Sequence, residues 1–166
     1  MKSLLLIRHA KSSWTSDALN DFDRPLNDRG KKEAPEMAKR LIKNKITIDC
    51  FVSSPARRAM KTAKLFIKEF GKNESEIILI PELYHSSVQT FFKVISGLDD
   101  NYQTAAIFSH NPGITELANL LTEMQIDNMP TCGVFAVRAP VRRWSEFANA
   151  KKELWFFNYP TLETDG

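Results

Sequence analysis

A short apolar run near the beginning of the chain constrains its fold more than any other feature. Residues 3–7, Ser-Leu-Leu-Leu-Ile, have the length and apolarity of a β-strand that is buried on both faces. Such strands usually belong to parallel sheets. Arg8 and His9 follow directly and would stand at the carboxyl end of the strand, where open α/β sheets place their ligand crevice. Taken alone, the pair would only mark where the strand reaches water, but two further strand ends favour a ligand site.

Two arginines follow a second predicted strand. A short β-branched and aromatic run ends just before Ser54, which suits a helix N-cap, and Pro55, which suits the first helical position. Apolar residues then recur with helical spacing and predict an amphipathic helix over 55–70. Arg57 and Arg58 fall in its first turn, where the helix dipole disfavours cations. A bound anion would offset this repulsion, whereas the plainer alternative is a solvated pair of arginines.

A histidine follows a third predicted strand in the same arrangement. Residues 104–108 form another apolar run, and His110 lies just after it. Asn111 is a candidate helix cap, and Pro112 suits the first position of a helix over 112–122. A lone histidine here would more often cap a helix or fill a core. Three strand ends that carry arginine and histidine side chains are instead expected to meet around one anionic ligand.

These residue types together are suited to phosphoryl transfer. A neutral imidazole such as that of His9 is a nucleophile near pH 7, and neighbouring arginines lower its pKa and keep it neutral. The same arginines would bind the phosphate dianion and neutralise charge on its oxygens. His110 would donate a hydrogen bond to the transferring group, and a phosphohistidine on His9 would divide hydrolysis into two displacements. Because arginines supply the positive charge, this chemistry needs no metal or other cofactor.

Three segments resemble, in their order and spacing, the histidine phosphatase superfamily, which has the phosphoglycerate-mutase-like fold. They are Arg8-His9, the segment from Ser54-Pro55 through Arg58-Ala59 to Thr62, and Ser109-His110-Asn111-Pro112. The short chain and the segment Arg24-Pro25-Leu26-Asn27 with Gly30 are similar to the SixA-type phosphohistidine phosphatase branch. The resemblance extends from Met1 to about Pro160.

The resemblance implies catalytic roles for four residues. His9 matches the phosphorylated nucleophile of the family, and His110 matches its second catalytic histidine. Arg8 and Arg58 match its phosphate-binding arginines, whereas Arg57 falls on a variable position and is left out of this set. The implied activity is that of a metal-independent phosphatase that hydrolyses phosphohistidine in proteins.

Four further residues are candidates for binding the substrate: Arg24, Glu82, His85 and Asn111. Arg24 would reach the pocket or pair with Asp21 or Asp23. Larger relatives supply a carboxylate as general acid, and here that acid is either Glu82 or His85, with His85 in the carboxylate's place by family register. If no good acid is present, phosphate esters with poor leaving groups should react slowly. A P–N bond needs less help because imidazole leaves more readily than an alkoxide, which favours phosphohistidine substrates.

The alternation of strand and helix patterns predicts an α/β fold: a single three-layer domain with a mostly parallel central sheet and helices on both faces. Strands are predicted at 3–8, 49–53, 76–80, 104–109, 133–138 and 153–158, and helices at 30–44, 55–70, 88–98 and 112–122. Pro35 should delay or kink the first helix. In the long connection over 10–29, Trp14 and Phe22 would either cover the pocket or anchor the loop to the core. The catalytic domain is expected over 1–160, with a frayed tail at 161–166.

Charge and composition narrow the partners to a phosphorylated protein or a small phosphorylated molecule. The net charge of +3 is too small to indicate nucleic-acid binding, and pairs such as Lys31-Lys32 are interpreted as solvated helix faces. No apolar stretch approaches membrane-spanning length, and no signal peptide is recognisable. Cys50 and Cys132 lack metal-ligand spacing and are interpreted as small buried thiols. These features favour a cytoplasmic location and leave the oligomeric state open.

Three alternative functions remain at this point. A small-molecule phosphomonoesterase of the same superfamily would use the same four catalytic residues and differ only in its loops. A non-catalytic phosphate-binding module would need the helix N-termini and arginines but not two facing histidines. A metallophosphoesterase would use His9, His85 and His110 as ligands, but Arg8 and Arg58 would repel its cation, and the spacing fits no familiar ligand pattern.

Overall fold

A six-stranded sheet forms the centre of the protein in a computed structural model that describes residues 1–14 and 20–162. Its strands are β1 (Lys2–Arg8), β2 (Cys50–Ser53), β3 (Ile78–Leu79), β4 (Thr104–Ser109), β5 (Val134–Ala139) and β6 (Glu153–Asn158). They lie in the order β3-β2-β4-β1-β5-β6. The pairings among β1, β2, β3 and β4 are parallel, and β5 pairs antiparallel with both β1 and β6. The predicted α/β fold with a mostly parallel sheet is confirmed.

Four helices cover the two faces of this sheet. They are α1 (Asp28–Lys43), α2 (Arg57–Glu69), α3 (Val88–Ser96) and α4 (Gly113–Leu121). Side chains of β1 alternate between two cores: Leu4 and Leu6 pack with α3 and α4, whereas Leu5 and Ile7 pack with α1 and α2. All four are fully buried. The apolar run is therefore a strand enclosed on both faces, as its sequence predicts.

The first helix begins before its predicted position. Asn27 caps α1 by accepting a hydrogen bond from the Gly30 N–H, at 2.9 Å, and the helix continues past Pro35 to Lys43. The expectation that Pro35 delays the start is wrong. Its missing N–H removes one interior hydrogen bond, but α1 buries a complete apolar face against α2 and the sheet, including Met37 and Leu41.

The helices α2 and α4 begin after their predicted positions, so the predicted caps are wrong. Ala56 occupies the N-cap position of α2, and Pro112 occupies that of α4. Ser54 instead contacts His110 through its hydroxyl. The Asn111 amide donates to the side chain of Asn128 and to the backbone carbonyl of Met129. Ser54 and Asn111 therefore join neighbouring segments without occupying an N-cap position themselves, although Ser54 also accepts from the Ala56 N–H and Asn111 accepts from the Thr115 hydroxyl in α4.

Some expectations concern the edges of the described chain. The sequence predicts a frayed tail at 161–166, and residues 163–166 of this tail lie outside the described part of the chain. Of the long connection 10–29, residues 15–19 also lie outside the described part of the chain. The side chains of Trp14 and Phe22 in this connection are both exposed, that of Trp14 by 74%. Anchoring of these two aromatics in the core is therefore wrong. Within the described residues, no helix has the length and apolar character that crossing a bilayer requires.

Candidate active site

Three adjacent strands bring the predicted site residues to one edge of the sheet. Strand β4 lies between β1 and β2, with Arg8 aligned to Ser109 and Ser53 aligned to Phe108. The residues that follow these strands therefore meet around a pocket of about 320 Å³. Its lining comprises Arg8, His9, Lys11, Ser12, Trp14, Asp21, Arg24, Arg58, Tyr84, His85, His110, Asn111 and Thr131. Among these described residues, four cationic side chains surround one carboxylate, which makes the pocket suited to an anion.

The imidazole of His9 is held in one tautomer. Its Nδ1 lies 2.8 Å from the carbonyl oxygen of Ala10, which can only accept, so Nδ1 carries the proton. Its Nε2 accepts a hydrogen bond from Arg58 Nε at 3.3 Å and so keeps the lone pair. Burial is the main reason that the pKa of His9 is lowered to about 3; the bond to Ala10 opposes this, and the neighbouring His110 and Arg58 add to it. His9 therefore presents a neutral, nucleophilic Nε2 to the pocket.

The loop that carries His9 is tied to α2 through one hydroxyl. Thr62 Oγ1 accepts from the Ala10 N–H at 3.0 Å and donates to the Arg58 carbonyl at 2.8 Å. Thr62 is fully buried. Because the same helix presents Arg58, this hydroxyl fixes the distance between the histidine loop and the arginine that contacts its ring.

The second histidine, His110, faces the first across the pocket. The two ring centroids lie 5.2 Å apart. Nε2 of His110 lies 2.8 Å from Ser54 Oγ, which already accepts from the Ala56 N–H. When the Ser54 hydroxyl donates its proton to Nε2, the proton of a neutral His110 stands on Nδ1. Burial lowers the pKa of His110 to about 3, with Arg58 adding to the effect.

Two buried nitrogens in this pocket have no hydrogen-bond partner. Within residues 1–14 and 20–162, the buried side-chain nitrogen and oxygen atoms without a partner are Arg8 Nε and His110 Nδ1. The Arg8 guanidinium is otherwise oriented by Nη1, which donates to the Met129 carbonyl at 2.8 Å. Buried donors in proteins are normally paired, because an unpaired one loses its hydration without compensation. A phosphoryl group with several acceptor oxygens would pair both.

Asp21, which the sequence suggested only as a partner for Arg24, forms one wall of the pocket with its carboxylate. Asp21 accepts from Arg58 Nη2 at 3.0 Å, from Arg24 Nε at 3.1 Å and from the Tyr84 hydroxyl at 2.5 Å. Desolvation raises the pKa of the Asp21 carboxyl, but the hydrogen bonds from Tyr84 and Arg58 outweigh it and hold that pKa below its usual range. Asp21 is therefore ionised near neutral pH. Its position depends on the 3-10 turn Asp21–Asp23, whose local signal in the sequence is the capping residue Asn20, which accepts from the Asp23 N–H.

Arg24 reaches the pocket and also pairs with the carboxylate of Asp21. Besides that ion pair, its Nη1 donates to Ser12 Oγ at 2.8 Å. Its guanidinium lies 3.5 Å from the ring centroid of Trp14, a cation–π contact. Both alternatives from the sequence are thus realised together. Trp14 covers the rim of the pocket rather than anchoring the loop.

The structure separates the two candidates for the general acid. His85 lines the pocket, and its ring lies 4.1 Å from that of Tyr84. Glu82 lies outside the pocket, on an exposed 3-10 turn, Pro81–Leu83, and lines a different groove beside α3. The reason is that Leu83 is buried while Glu82, one residue earlier, faces the other groove. The prediction that Glu82 binds the substrate is therefore corrected.

Asn111 lines the pocket as predicted, but its side chain is largely engaged. Its amide donates to Asn128 Oδ1 at 2.7 Å and to the Met129 carbonyl at 3.1 Å, and Thr115 donates to its oxygen. Met129 is the residue whose carbonyl also holds Arg8. Asn111 thereby supports the loop that orients Arg8. Among the described residues, no group of three or more His, Cys, Asp or Glu side chains is arranged to hold a metal ion.

Comparison with known proteins gives matches in sequence and in structure. Residues 4–91 match the family model of the histidine phosphatase superfamily, branch 1. An uncharacterised protein of Mycobacterium leprae is 31% identical over 166 residues, an alignment that covers 93% of this chain and 99% of that protein.

Two solved structures superpose over nearly the whole chain. One is a candidate phosphohistidine phosphatase, SixA, from Agrobacterium tumefaciens, with a TM-score of 0.80 and 24% identity over 96% of this chain and 98% of that one. The other is the protein histidine phosphatase SixA in complex with tungstate, with a TM-score of 0.80 and 20% identity over 95% and 97%. At these identities the matches establish a shared fold, the phosphoglycerate-mutase-like fold.

Proposed function

Because this chain belongs to the histidine phosphatase superfamily and is a phosphatase, we propose that it hydrolyses phosphohistidine in proteins through a phosphorylated His9. The observation that carries this proposal is the neutral Nε2 of His9, fixed by Ala10 and Arg58, in a pocket that is also lined by Arg8 and His110, whose Nε and Nδ1 have no hydrogen-bond partner. A lone pair and unpaired donors around one pocket are what an attack on a phosphoryl group requires.

The reaction has two displacements at phosphorus. In the first, His9 Nε2 forms a bond to phosphorus while the P–N bond of the substrate breaks, and the substrate imidazole leaves as a neutral ring when its other nitrogen carries a proton. Arg8 and Arg58 neutralise the charge on the non-bridging oxygens, and His110 donates a hydrogen bond from Nδ1. In the second, water attacks phosphorus, the bond to His9 breaks, and inorganic phosphate leaves with the neutral imidazole restored.

The preference for a P–N bond follows from the acids near the pocket. Among the described lining residues the one carboxylate is Asp21, which is ionised and engaged with Arg58. Glu82 lies in another groove. An alkoxide leaving group needs a proton from such an acid, whereas an imidazole leaving group does not need one from the enzyme.

A second candidate function is a phosphomonoesterase, and one contact favours it. His85 lines the pocket, and its ring lies 4.1 Å from that of Tyr84 at a tilt of 36°, so an imidazole besides those of His9 and His110 is present there to protonate a leaving alcohol. In this case His85 protonates the alcohol and the substrate is a small phosphate ester. His9, Arg8, Arg58 and His110 keep the same roles.

The experiment compares initial rates on a phosphohistidine peptide, the matching phosphoserine peptide and an aryl phosphate, each measured with and without a chelator. We expect the phosphohistidine peptide to react fastest and His9→Ala to abolish turnover while binding of the peptide is largely kept. His85→Gln is the companion variant and should leave the phosphohistidine rate unchanged. Faster ester hydrolysis that is lost in His85→Gln would favour the phosphomonoesterase instead. Binding without any turnover would favour the non-catalytic phosphate-binding module, and loss of activity with the chelator would favour a metal-dependent site.

The proposal includes a catalytic domain over 1–160 and a cytoplasmic location. Cys50 and Cys132 are both free and buried. Burial raises the pKa of the Cys50 thiol to about 12, so it has little thiolate character at neutral pH. Two unpaired, unreactive thiols are supportive of a reducing compartment.

A further inference from the structure

A second groove, strongly basic, lies beside the catalytic pocket. Its volume is about 460 Å³. We call it the basic groove; it is lined by Pro25, Leu26, Lys31, Arg57, Met60, Lys61 and Lys64. Four of these seven side chains are cationic, and none of the seven is acidic. The groove therefore concentrates positive charge on a protein whose net charge is only +3.

The regular spacing of α2 explains why these charges coincide. Arg57, Lys61 and Lys64 are separated by four and three residues, so they lie on one face of the helix. Lys31, from the first turns of α1, adds a cation from the neighbouring helix. Like charges at this spacing repel and cost helix stability. The interpretation of Lys31 as a merely solvated side chain is therefore incomplete, since it is part of a shared concave surface.

Within residues 1–14 and 20–162, the acidic side chains do not pair with the four cations of this groove. Among the four, Arg57 donates a long hydrogen bond of 3.4 Å from Nη1 to the backbone carbonyl of Asp23. Arg57, Lys61 and Lys31 are exposed, and Lys64 is half-buried. Their charges are thus available to an external anion.

The basic groove adjoins the catalytic pocket along the chain and in space. Arg57 in the groove directly precedes Arg58 in the pocket, and Pro25 in the groove directly follows Arg24 in the pocket. The hydrogen bond from Arg57 to the Asp23 carbonyl joins α2 to the 3-10 turn Asp21–Asp23. A ligand whose phosphoryl group occupies the pocket can therefore extend across this boundary into the groove.

We propose that the basic groove binds an acidic segment of a protein substrate, next to its phosphorylated residue. This inference rests on the proposed function in so far as the substrate is a phosphoprotein. The three cations of α2 span about 10 Å along the helix axis, the length of roughly three residues of extended peptide. A single phosphate would contact only part of this row, whereas successive Asp or Glu side chains match its length. The half-buried Met60 offers an apolar contact to the aliphatic part of the peptide side chains.

The test reverses two charges in the groove and two elsewhere. The variant is K61E/K64E, and the matched control is K93E/K151E, which changes net charge equally at exposed lysines outside both pockets on α3 and before β6. Binding is measured by fluorescence anisotropy with a labelled, unphosphorylated Asp/Glu-rich peptide and a neutral peptide of equal length. Hydrolysis is measured with the same two sequences carrying a phosphorylated residue, and with a small phosphoramidate.

We expect the natural protein and the control to prefer the acidic peptide, and K61E/K64E to lose that preference. The loss should be about tenfold in kcat/KM, mostly through KM, and should shrink at high salt. Turnover of the small phosphoramidate should stay the same in all three proteins. Equal binding of acidic and neutral peptides by the natural protein, or equal losses in both charge-reversal variants, would overturn the groove proposal. So would tighter binding of an oligonucleotide of the same charge.

The two proposals fail in different ways. If phosphohistidine peptides do not react but phosphoserine peptides do, the proposed substrate bond is wrong, and the groove is still tested by the acidic and neutral phosphoserine pair. If phosphohistidine peptides react equally with either flanking sequence, the proposed function stands and the groove proposal falls. The anisotropy measurement needs no turnover and decides the groove in every case.

Discussion

Acidification provides a direct test of the two buried imidazoles. His9 and His110 are 6% and 7% exposed, and burial lowers the pKa of each to about 3, from an ordinary value of 6.5. In the unfolded chain both rings regain the ordinary value. Below pH 6.5 the unfolded state therefore binds two protons that the folded state does not, and stability falls as pH falls.

The size of this effect follows from proton linkage. Between pH 7.5 and 5.5, an imidazole that titrates at 6.5 when unfolded and stays neutral when folded costs about 1.4 kcal/mol of unfolding free energy. The two rings together cost about 2.7 kcal/mol. This is a large part of the 5–15 kcal/mol that is typical of folded domains. The contribution is fully present above pH 7.5 and is lost progressively toward pH 3.

The assay is urea unfolding followed by tryptophan fluorescence, at pH 7.5 and 5.5, in buffer that contains no phosphate and has constant ionic strength. The His9→Gln/His110→Gln variant cannot titrate at these positions and serves as the reference. Natural protein should lose about 2.7 kcal/mol more than this variant over the interval, and each single variant should recover about half. Equal losses in natural protein and double variant would refute the argument, because they would mean that the imidazoles ionise in the folded state.

Three substitutions test other contacts. Asp21→Asn removes the carboxylate that lines the proposed phosphate pocket and should tighten binding of inorganic phosphate by roughly tenfold, after allowance for solvent screening, as measured by calorimetry; weaker binding would show that Asp21 acts mainly by orienting arginine. Gly30→Ala would place a methyl group 2.2 Å from a backbone carbonyl and should cost about 1–3 kcal/mol in urea unfolding, whereas Gly97→Ala, with nothing nearer than 3.6 Å, is the matched control; equal costs would contradict the steric reason. Ser54→Ala frees the His110 ring to change tautomer and should lower kcat more than it changes KM; an effect on KM alone would assign Ser54 to binding.

The sequence predicts the site where each residue lies at the end of a buried strand or within a few residues after it. The run before Arg8 and His9 is apolar at each of the four positions 4–7, so the strand must be covered on both faces, and parallel strands place their carboxyl ends together. This reasoning brings His110 and Arg58 to the same edge without knowledge of their contacts. Local sequence is sufficient here because strand and side chain are adjacent.

The remaining residues of the site depend on contacts between distant segments. Asp21 meets Tyr84 across 63 positions in the chain, each on a short turn that hydrophobic periodicity does not register. Ser54 looks like a helix cap in sequence and is a partner of His110 in space. The choice between Glu82 and His85 depends on which way one 3-10 turn faces. Tertiary packing decides these positions, and a pattern of residue types along the chain does not contain that information.

The placement of β4 between β1 and β2 also governs when the protein acquires activity during synthesis. A chain that has emerged from the ribosome as far as α3 already contains His9 and Arg58, but it lacks His110 and the strand that holds β1 beside β2. Such a chain can collapse and form helices without assembling a working site. Pairings over so great a sequence separation form late and slowly. Enzymatic activity regained during refolding should therefore report the insertion of β4, and it should appear after helical circular dichroism has recovered.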